Sequence, residues 1–262
     1  HNVMSWVDGL AQWQENGTAF ISVAFSWKLR EAANLARSWK ERGYQVRIGG
    51  PAIMIPQNAK IVAPYADPVA KVDALTHHNP DPILCDNNLS ALPEEYQDHI
   101  IRRYRETETS LLDANSGFEP KTFDSWTFRR WSKILLGPWR FALDEMKEMP
   151  EVEHQMHIIS TLQSKKGRLK RKMRVYVLIG NEPIASCYER VKKVIEWGGE
   201  PYCQPILPLN ALDRYAYRIL HDWDATKLRD FSRWTNGFLW RSTTTLKEYA
   251  PRVIGRPSFE SV

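Results

Sequence analysis

The chain has 262 residues, of which 43% are hydrophobic and 26% charged, and its formal net charge is +5. This composition is ordinary for a globular protein with a substantial core, and the mild charge permits an anionic partner without requiring one. No apolar run approaches the roughly 20 residues of a membrane-spanning helix. The widely spaced Cys85, Cys187 and Cys203 exclude a disulfide framework or CxxC metal site. A reducing, cytoplasmic location is therefore expected.

The first segment predicts a β-α-β unit. Residues 17–27 (GTAFISVAFSW) are rich in β-branched and aromatic residues, which are typical of a strand. Residues 28–43 carry an apolar stripe at helical spacing and end at a glycine, and residues 44–53 form a second strand pattern. Short links between these elements predict parallel pairing through a right-handed crossover.

Strand and helix patterns alternate along the rest of the chain, after a proline-spaced connector at 60–80. The predicted strands are 82–85, 110–115, 139–146, 174–180 and 201–209. The predicted helices are 93–106, 123–135, 153–167, 184–199 and 224–240. This alternation predicts an α/β protein with a mostly parallel sheet.

Polar or backbone-exposing residues follow five of these strands. They are Asp86-Asn87-Asn88, Asn115-Ser116-Gly117, Asp144-Glu145, Gly180-Asn181-Glu182 and Pro208-Leu209-Asn210. Ligands of parallel α/β folds bind at the carboxyl ends of strands, so these residues are candidates for a polar site. Strand termination and helix capping also explain the polar residues at any single strand end. Five such ends together favour a site.

The segments PILCDNNL, WRFALDEM, RVYVLIGNEP and PYCQPILPLNAL resemble, in this order, successive strand ends of radical S-adenosylmethionine (radical SAM) enzymes. The branch that they resemble most, common in phage and bacterial genomes, has a DNN turn after the second barrel strand. The resemblance covers roughly residues 76–245. It implies a partial (β/α)6 TIM-like barrel at 66–250, between an N-terminal domain at 1–65 and a C-terminal tail at 251–262.

The N-terminal β-α-β domain is itself similar to the half-Rossmann, cobalamin-binding domain that precedes the barrel in some radical SAM enzymes. The DxHxxG motif that would ligate cobalt is absent from the sequence. We therefore expect a degenerate domain without cobalamin. Gly49-Gly50-Pro51, at the end of its second strand, is better interpreted as a tight turn than as a phosphate cradle.

The resemblance implies that three residues of the DNN turn hold the methionyl end of S-adenosylmethionine. Asp86, Asn87 and Asn88 occupy the place where the family binds the methionyl amino group. Arg140 and Asp144 fall where the fourth barrel strand approaches the ribose and the carboxylate.

The adenine end of the same cofactor is implied to lie on two later strands. Ile179 and Gly180 match the family's G-x-I-x-G-like strand, whose backbone meets adenine and whose glycine lets the ligand come close. Leu207, Pro208 and Leu209 fall on the adenine-facing sixth strand.

One departure from the family is serious. Radical SAM enzymes hold a 4Fe–4S cluster with a CxxxCxxC motif, and the three cysteines of this chain cannot replace it at their spacings. In related proteins a strand and the cysteine loop stand between the segments that match HHNP and PILCDNNL. We therefore expect a segment to be absent between Pro80 and Asp81. The alternative is a continuous NPDP turn in a protein that never held a cluster.

The expected function is an enzyme that reductively cleaves S-adenosylmethionine at a 4Fe–4S cluster and starts radical chemistry on an unknown substrate, with an external electron donor. Nucleic acid or a nucleotide is among the candidate substrates, and no membrane partner is expected. Without the three thiolates the chain as printed would be inactive.

Two alternatives stay open. One is a non-catalytic nucleic-acid-binding module, which would use KKGRLKRKMR (165–174), with seven basic residues in ten, and the Trp–Arg mixtures around Trp131 and Trp234. A solvated connector and helix packing are the commoner explanations of these features. The other alternative is a cluster-free α/β enzyme that uses Asp86 and Asp144 as a polar pair.

Overall fold

The structure is a computed structural model, and it describes residues 5–54, 56–67, 80, 82–84, 88–163, 172–242 and 245–249. The chain divides into two compact units. The first unit comprises His1–His77 and Leu207–Tyr217, and the second comprises His78–Ile206 and Arg218–Val262. The first unit therefore extends beyond the predicted boundary at residue 65 and includes a segment from late in the sequence. Among the described residues, no helix is both long and apolar enough to cross a membrane.

The first unit contains a four-stranded sheet with strand order β1-β2-β3-β4. Its elements are β1 (Ser5–Val7), β2 (Leu10–Glu15), β3 (Thr18–Val23), α1 (Leu29–Glu41), β4 (Gln45–Gly49) and α2 (Pro56–Ile61). β4 pairs parallel to β3, which confirms the predicted β-α-β unit. β1 and β2 pair antiparallel and extend the sheet beyond β3. These two strands were missing from the prediction.

Alternation and helical periodicity explain the core of the first unit. Ile21 and Val23 of β3 are fully buried, as are Leu29 and Ala32 of α1, so one face of the strand packs against one stripe of the helix. The β2–β3 turn is formed by Asn16 and Gly17, both with positive φ. This is the geometry of a tight hairpin turn, which asparagine and glycine adopt at little cost.

The described part of the second unit contains five parallel strands in two small sheets. The strands are β5 (Ile83–Leu84), β6 (Asp113–Ala114), β7 (Trp139–Leu143), β8 (Met173–Ile179) and β9 (Glu200–Pro205). β5 pairs with β6, and β7, β8 and β9 pair in that order, all parallel. The Phe118 N–H, shortly after β6, donates to the Arg140 carbonyl in β7 at 2.9 Å. The protein is thus mixed α/β, and its strands form no closed barrel in the described part of the chain.

Helices follow or link these strands as the alternation predicted. They are α3 (Glu94–Glu106), α4 (Ser125–Trp131), α5 (Met149–Leu162), α6 (Ile184–Glu196) and α7 (Ala225–Asn236). The predicted strand at 201–209 was too long, because β9 ends at Pro205. Pro205 and Pro208 lack the N–H that would continue the ladder. Most of the basic segment at 165–174 lies outside the described residues.

Aromatic residues fill the core beneath β7. The Phe118 ring lies 5.2 Å from that of Trp139 and 5.5 Å from that of Trp131, centroid to centroid. Trp131 is fully buried, and Trp234 of α7 is 3% exposed. Helix packing, the commoner explanation of these two tryptophans, is therefore confirmed, and neither ring is available for stacking on a base.

A fully buried arginine on α6 ties β7 and β8 together. Arg190 donates from Nη1 to the Leu143 carbonyl at 2.6 Å and from Nη2 to the Leu178 carbonyl at 2.8 Å. The same guanidinium lies 3.1 Å from a carboxylate oxygen of Glu182. Buried carbonyls and a buried cation must be paired. Arg190 satisfies both carbonyls and pairs with Glu182, while its Nε has no partner among the described residues.

We expect Arg190→Met to lower the free energy of unfolding by about 3–5 kcal/mol, because it leaves Glu182 and two carbonyls without their donor. Lys193→Ala removes a partly exposed cation of the same helix as a control, and its effect should stay within roughly 0.5 kcal/mol. Urea unfolding followed by circular dichroism measures both. Equal effects of the two substitutions would contradict the bridging by Arg190.

Candidate functional site

The sheet of β7, β8 and β9 has one apolar and one polar face. The odd-numbered residues of β7 and β8, such as Val175 and Val177, are buried. Residues with even numbers lie on the opposite face, because successive side chains of a strand alternate. We call this set the polar face: Arg140, Ala142, Arg174, Tyr176, Leu178, Glu200, Tyr202 and Gln204. It provides charged, aromatic and amide groups along one surface.

The guanidinium of Arg140 connects β6 to the polar face. It binds Asp113 with two bonds, Nε to Oδ1 and Nη2 to Oδ2, each of 2.6 Å. Its Nη1 donates to the Tyr176 hydroxyl, and its Cζ lies 5.5 Å from the centroid of the Tyr176 ring. The Tyr202 ring follows at 5.4 Å. The resemblance implied that Arg140 contacts a ligand. Most of its N–H donors are instead bonded to Asp113 and Tyr176.

The Tyr176 hydroxyl keeps a proton that it can donate to a ligand. Burial raises the pKa of the Tyr176 phenol, and the Arg140 charge opposes that rise only in part. The phenol is therefore protonated at neutral pH. Its oxygen accepts from Arg140, so its O–H is oriented away from the guanidinium and can serve a ligand on the polar face.

Asn88 carries an unsatisfied acceptor. Its Nδ2 donates to the Glu119 carboxylate at 2.9 Å, whereas its buried Oδ1 has no partner among the described residues. The next residue, Leu89, donates from its backbone to the Gly117 carbonyl at 3.0 Å, so the structure brings Asn88 to the segment that follows β6. A buried acceptor without a donor costs about 1–3 kcal/mol. A ligand ammonium or hydroxyl would supply the donor. Asp86 and Asn87 lie outside the described residues.

The loops after β7 and β8 are joined at Asp144. The Asn181 side chain donates to the Asp144 carbonyl at 2.5 Å, and the Asp144 N–H donates to Glu148 at 2.8 Å. Desolvation raises the pKa of the Asp144 carboxyl, and the charge of Glu148 raises it further, while Arg190 opposes both. The structure therefore brings together two of the predicted strand ends.

The space at Gly180 is filled by the protein's own side chains. The residue has φ +92°, and a Cβ there would lie 3.1 Å from Ile206 Cγ2 and 3.3 Å from Leu228 Cδ2. The preceding Ile179 is fully buried, and its carbonyl accepts from the Ile206 N–H at 2.8 Å. The positive φ and the packing together explain the glycine. Adenine contact by Ile179 and Gly180 stays a prediction.

The remaining three predicted residues belong to the first unit, whereas the others described belong to the second. Leu207 and Pro208 are half-buried, Leu209 is 82% exposed, and the Pro208 carbonyl accepts from Ala211 in a turn. These residues do not continue β9, contrary to the strand prediction.

The described cysteines do not fit an iron–sulfur cluster. Cys187 and Cys203 are buried in the core. Burial raises the pKa of the Cys187 thiol and raises that of Cys203 to about 12. Cluster ligands are thiolates, and both groups are thiols at neutral pH. The described ranges contain no cluster of three or more potential metal ligands, and Cys85 lies outside them.

Sequence reasoning missed Asp113, Tyr176 and Arg190. Tyr176 had a signal, because it alternates with buried valines in RVYVLIG. Arg190 also had one, since it lies on the same helical stripe as Cys187 and Val194, where a charge is unexpected. The pairing of Asp113 with Arg140 had none, because it joins residues far apart in sequence.

We expect Gly180→Ala to destabilise the protein by about 1–3 kcal/mol, because it adds crowding to an unfavourable positive φ. Gly198→Ala is the matched control, since Gly198 has φ +80° and open space at its Cβ position. Its cost should be smaller, at about 1 kcal/mol. Thermal unfolding of both variants measures the difference. Equal losses would show that packing at Gly180 contributes nothing.

We expect Asp144→Asn to stabilise the protein at neutral pH. The folded-state pKa of Asp144 is raised, so its ionised form costs free energy in the fold. The gain from asparagine should shrink as the pH falls through the folded-state pKa and vanish below the ordinary value of about 3.9. Urea unfolding of both proteins between about pH 7 and about pH 3 tests this. A difference independent of pH would refute it.

No protein-family model matches this chain, and no curated protein or solved structure matches it at a significant level. A fold does not by itself assign a function.

Proposed function

We propose that this chain is the S-adenosylmethionine-binding part of a radical SAM-like enzyme, with β5 to β9 arranged as a partial barrel. The observation that carries the proposal is the order of the strands. β5 lies beside β6, and β7, β8 and β9 follow in chain order, all parallel. The bond from Phe118 to Arg140 supports continuity between the two small sheets. Sequential parallel order is typical of β/α barrels, whereas doubly wound sheets reverse their order at a switch point.

The chain's own groups suit the polar ends of this ligand. The unpaired Oδ1 of Asn88 would accept from the methionyl ammonium. The Tyr176 hydroxyl, oriented by Arg140, would donate to an oxygen of the ligand. Asp113 holds Arg140 in place through its two-bond contact, so the donor is positioned before the ligand arrives. Asp144, with its raised pKa, follows the end of β7 and is the proposed ribose contact.

Reductive cleavage of S-adenosylmethionine needs an electron from a 4Fe–4S cluster, and the described cysteines do not fit one. We propose that the cluster ligands belong to a segment absent between Pro80 and Asp81, which the intact enzyme would carry. An external electron donor would reduce the cluster held there. The chain as printed would bind the cofactor and leave it intact.

The binding proposal is tested by titrating S-adenosylmethionine into the full chain by isothermal calorimetry. We expect saturable binding that Asn88→Ala weakens by about tenfold, the effect of one lost hydrogen bond to a charged group. Asn34→Ala changes an exposed asparagine of the first unit and should leave the affinity unchanged. Chromatography of the incubated mixture should recover the cofactor uncleaved.

Two results would overturn parts of the proposal separately. Absence of saturable binding would remove the cofactor assignment. The continuous tryptic peptide from Val72 to Arg102, found by mass spectrometry in protein from its natural source, would remove the missing segment. The alternative of a nucleic-acid-binding module loses the stacking surfaces at Trp131 and Trp234, which are buried.

A further inference from the structure

A second polar cluster lies beside the Arg140 contacts on the same sheet, because Glu200 pairs with Arg174, which in turn pairs with Arg140. Glu200, at the start of β9, is 7% exposed and contacts three cations. Its carboxylate lies 2.9 Å from Lys172 Nζ, 3.2 Å from Arg174 Nη2 and 2.6 Å from Arg241 Nη2. One carboxylate cannot neutralise three cations, so the cluster keeps an excess of positive charge.

The excess charge faces outward. The side chain of Glu200 is 9% exposed, whereas those of Lys172 and Arg241 are 63% and 49% exposed. An ammonium has three donors and a guanidinium five, and each donates here to a single carboxylate. Donors therefore remain for an incoming anion, and the buried carboxylate is shielded from it.

A cavity of about 350 Å³ opens beside this cluster and is lined by Lys172, Gly198, Gly199, Glu200, Trp240 and Arg241 among others. Its volume falls within the roughly 300–1,000 Å³ of small-molecule sites. Gly198 leaves part of the wall open, because a Cβ there would meet no atom within 4 Å. The cavity therefore has room next to the cations.

Trp240 provides an aromatic side chain at the cavity wall. Its Nε1 is buried and has no hydrogen-bond partner among the described residues. The Arg241 Cζ lies 5.1 Å from the Trp240 ring centroid. The tryptophan ring can contact a planar base while the neighbouring cations bind an anion. Nucleotides are bound by this combination of aromatic and cationic contacts.

We propose that this cavity binds a phosphorylated nucleoside, either as a free nucleotide or as a residue of single-stranded nucleic acid. Arg241 and Lys172 bind the phosphate, and Trp240 contacts the base. Five further basic residues precede Lys172 within residues 165–171; they are no part of the proposed site. The inference does not depend on the cofactor proposal, because the two sites use different residues.

The test uses the full chain and three probes: adenosine monophosphate, inorganic phosphate and a labelled single-stranded oligonucleotide. We expect Arg241→Gln to weaken nucleotide or oligonucleotide binding by about tenfold, and Trp240→Phe to weaken it by a few fold through loss of the indole donor. For the oligonucleotide, Arg241→Gln should also reduce the salt dependence by about one phosphate contact. Lys147→Ala, a 73% exposed cation after β7, is the matched control and should have no effect.

Arg241→Lys is a second variant that keeps a positive charge next to Glu200. Thermal unfolding of all variants separates loss of binding from loss of fold. Binding of the oligonucleotide alone identifies nucleic acid as the source, and binding of the monophosphate alone identifies a free nucleotide. The proposal is overturned if no probe binds, if phosphate binds as tightly as the nucleotide, or if Arg241→Gln and Trp240→Phe bind the nucleotide and the oligonucleotide as tightly as the unmodified chain does. Displacement of the nucleotide by S-adenosylmethionine would also overturn it, since the two ligands would then share one site.

Discussion

The second unit depends on one buried cation. Arg190 satisfies backbone carbonyls at the ends of both β7 and β8 and pairs with Glu182 in the loop that follows. A guanidinium has five donors in a rigid plane, and no apolar side chain could satisfy these oxygens. Because the charge is fully buried, losing any partner would leave a group without solvent or counter-charge. The strand ends are thereby fixed to α6, and the loops that carry Asp144 and Asn181 start from a rigid base.

The polar face follows from that rigidity and from alternation. With the odd-numbered residues of β7 to β9 committed to the core, the even-numbered ones are left to build a surface of their own. Arg140 on that surface is held by Asp113 from a different sheet, so the donor geometry at Tyr176 is set before any ligand binds. The same alternation places Arg174 and Glu200 on this face in one row with Arg140 at the strand starts, where charged side chains accumulate.

Sequence patterns predicted the elements better than their limits. The apolar stripe of α1 and the alternation of β8 were sufficient, because each pattern is local and strongly periodic. β1 and β2 escaped notice although Asn16-Gly17 is a strong hairpin signal, since their own residues do not alternate clearly. β9 was overextended because its apolar residues run on past Pro205, and only the missing N–H groups of the prolines stop the ladder. The buried arginine on α6 was recognisable in the sequence, because it is a charged residue within an apolar helical stripe.

The sequence by itself determined the α/β class, the parallel β3–α1–β4 unit and the polar residues at the strand ends, because periodicity and chain order dictate all three. Only the tertiary structure decided what those residues do. It showed that Gly180 makes room for Ile206 and Leu228, that Arg140 is bound to Asp113, and that one oxygen of Asn88 lacks a donor. Such facts depend on contacts between residues distant in sequence, and no local pattern encodes which partner a side chain will meet.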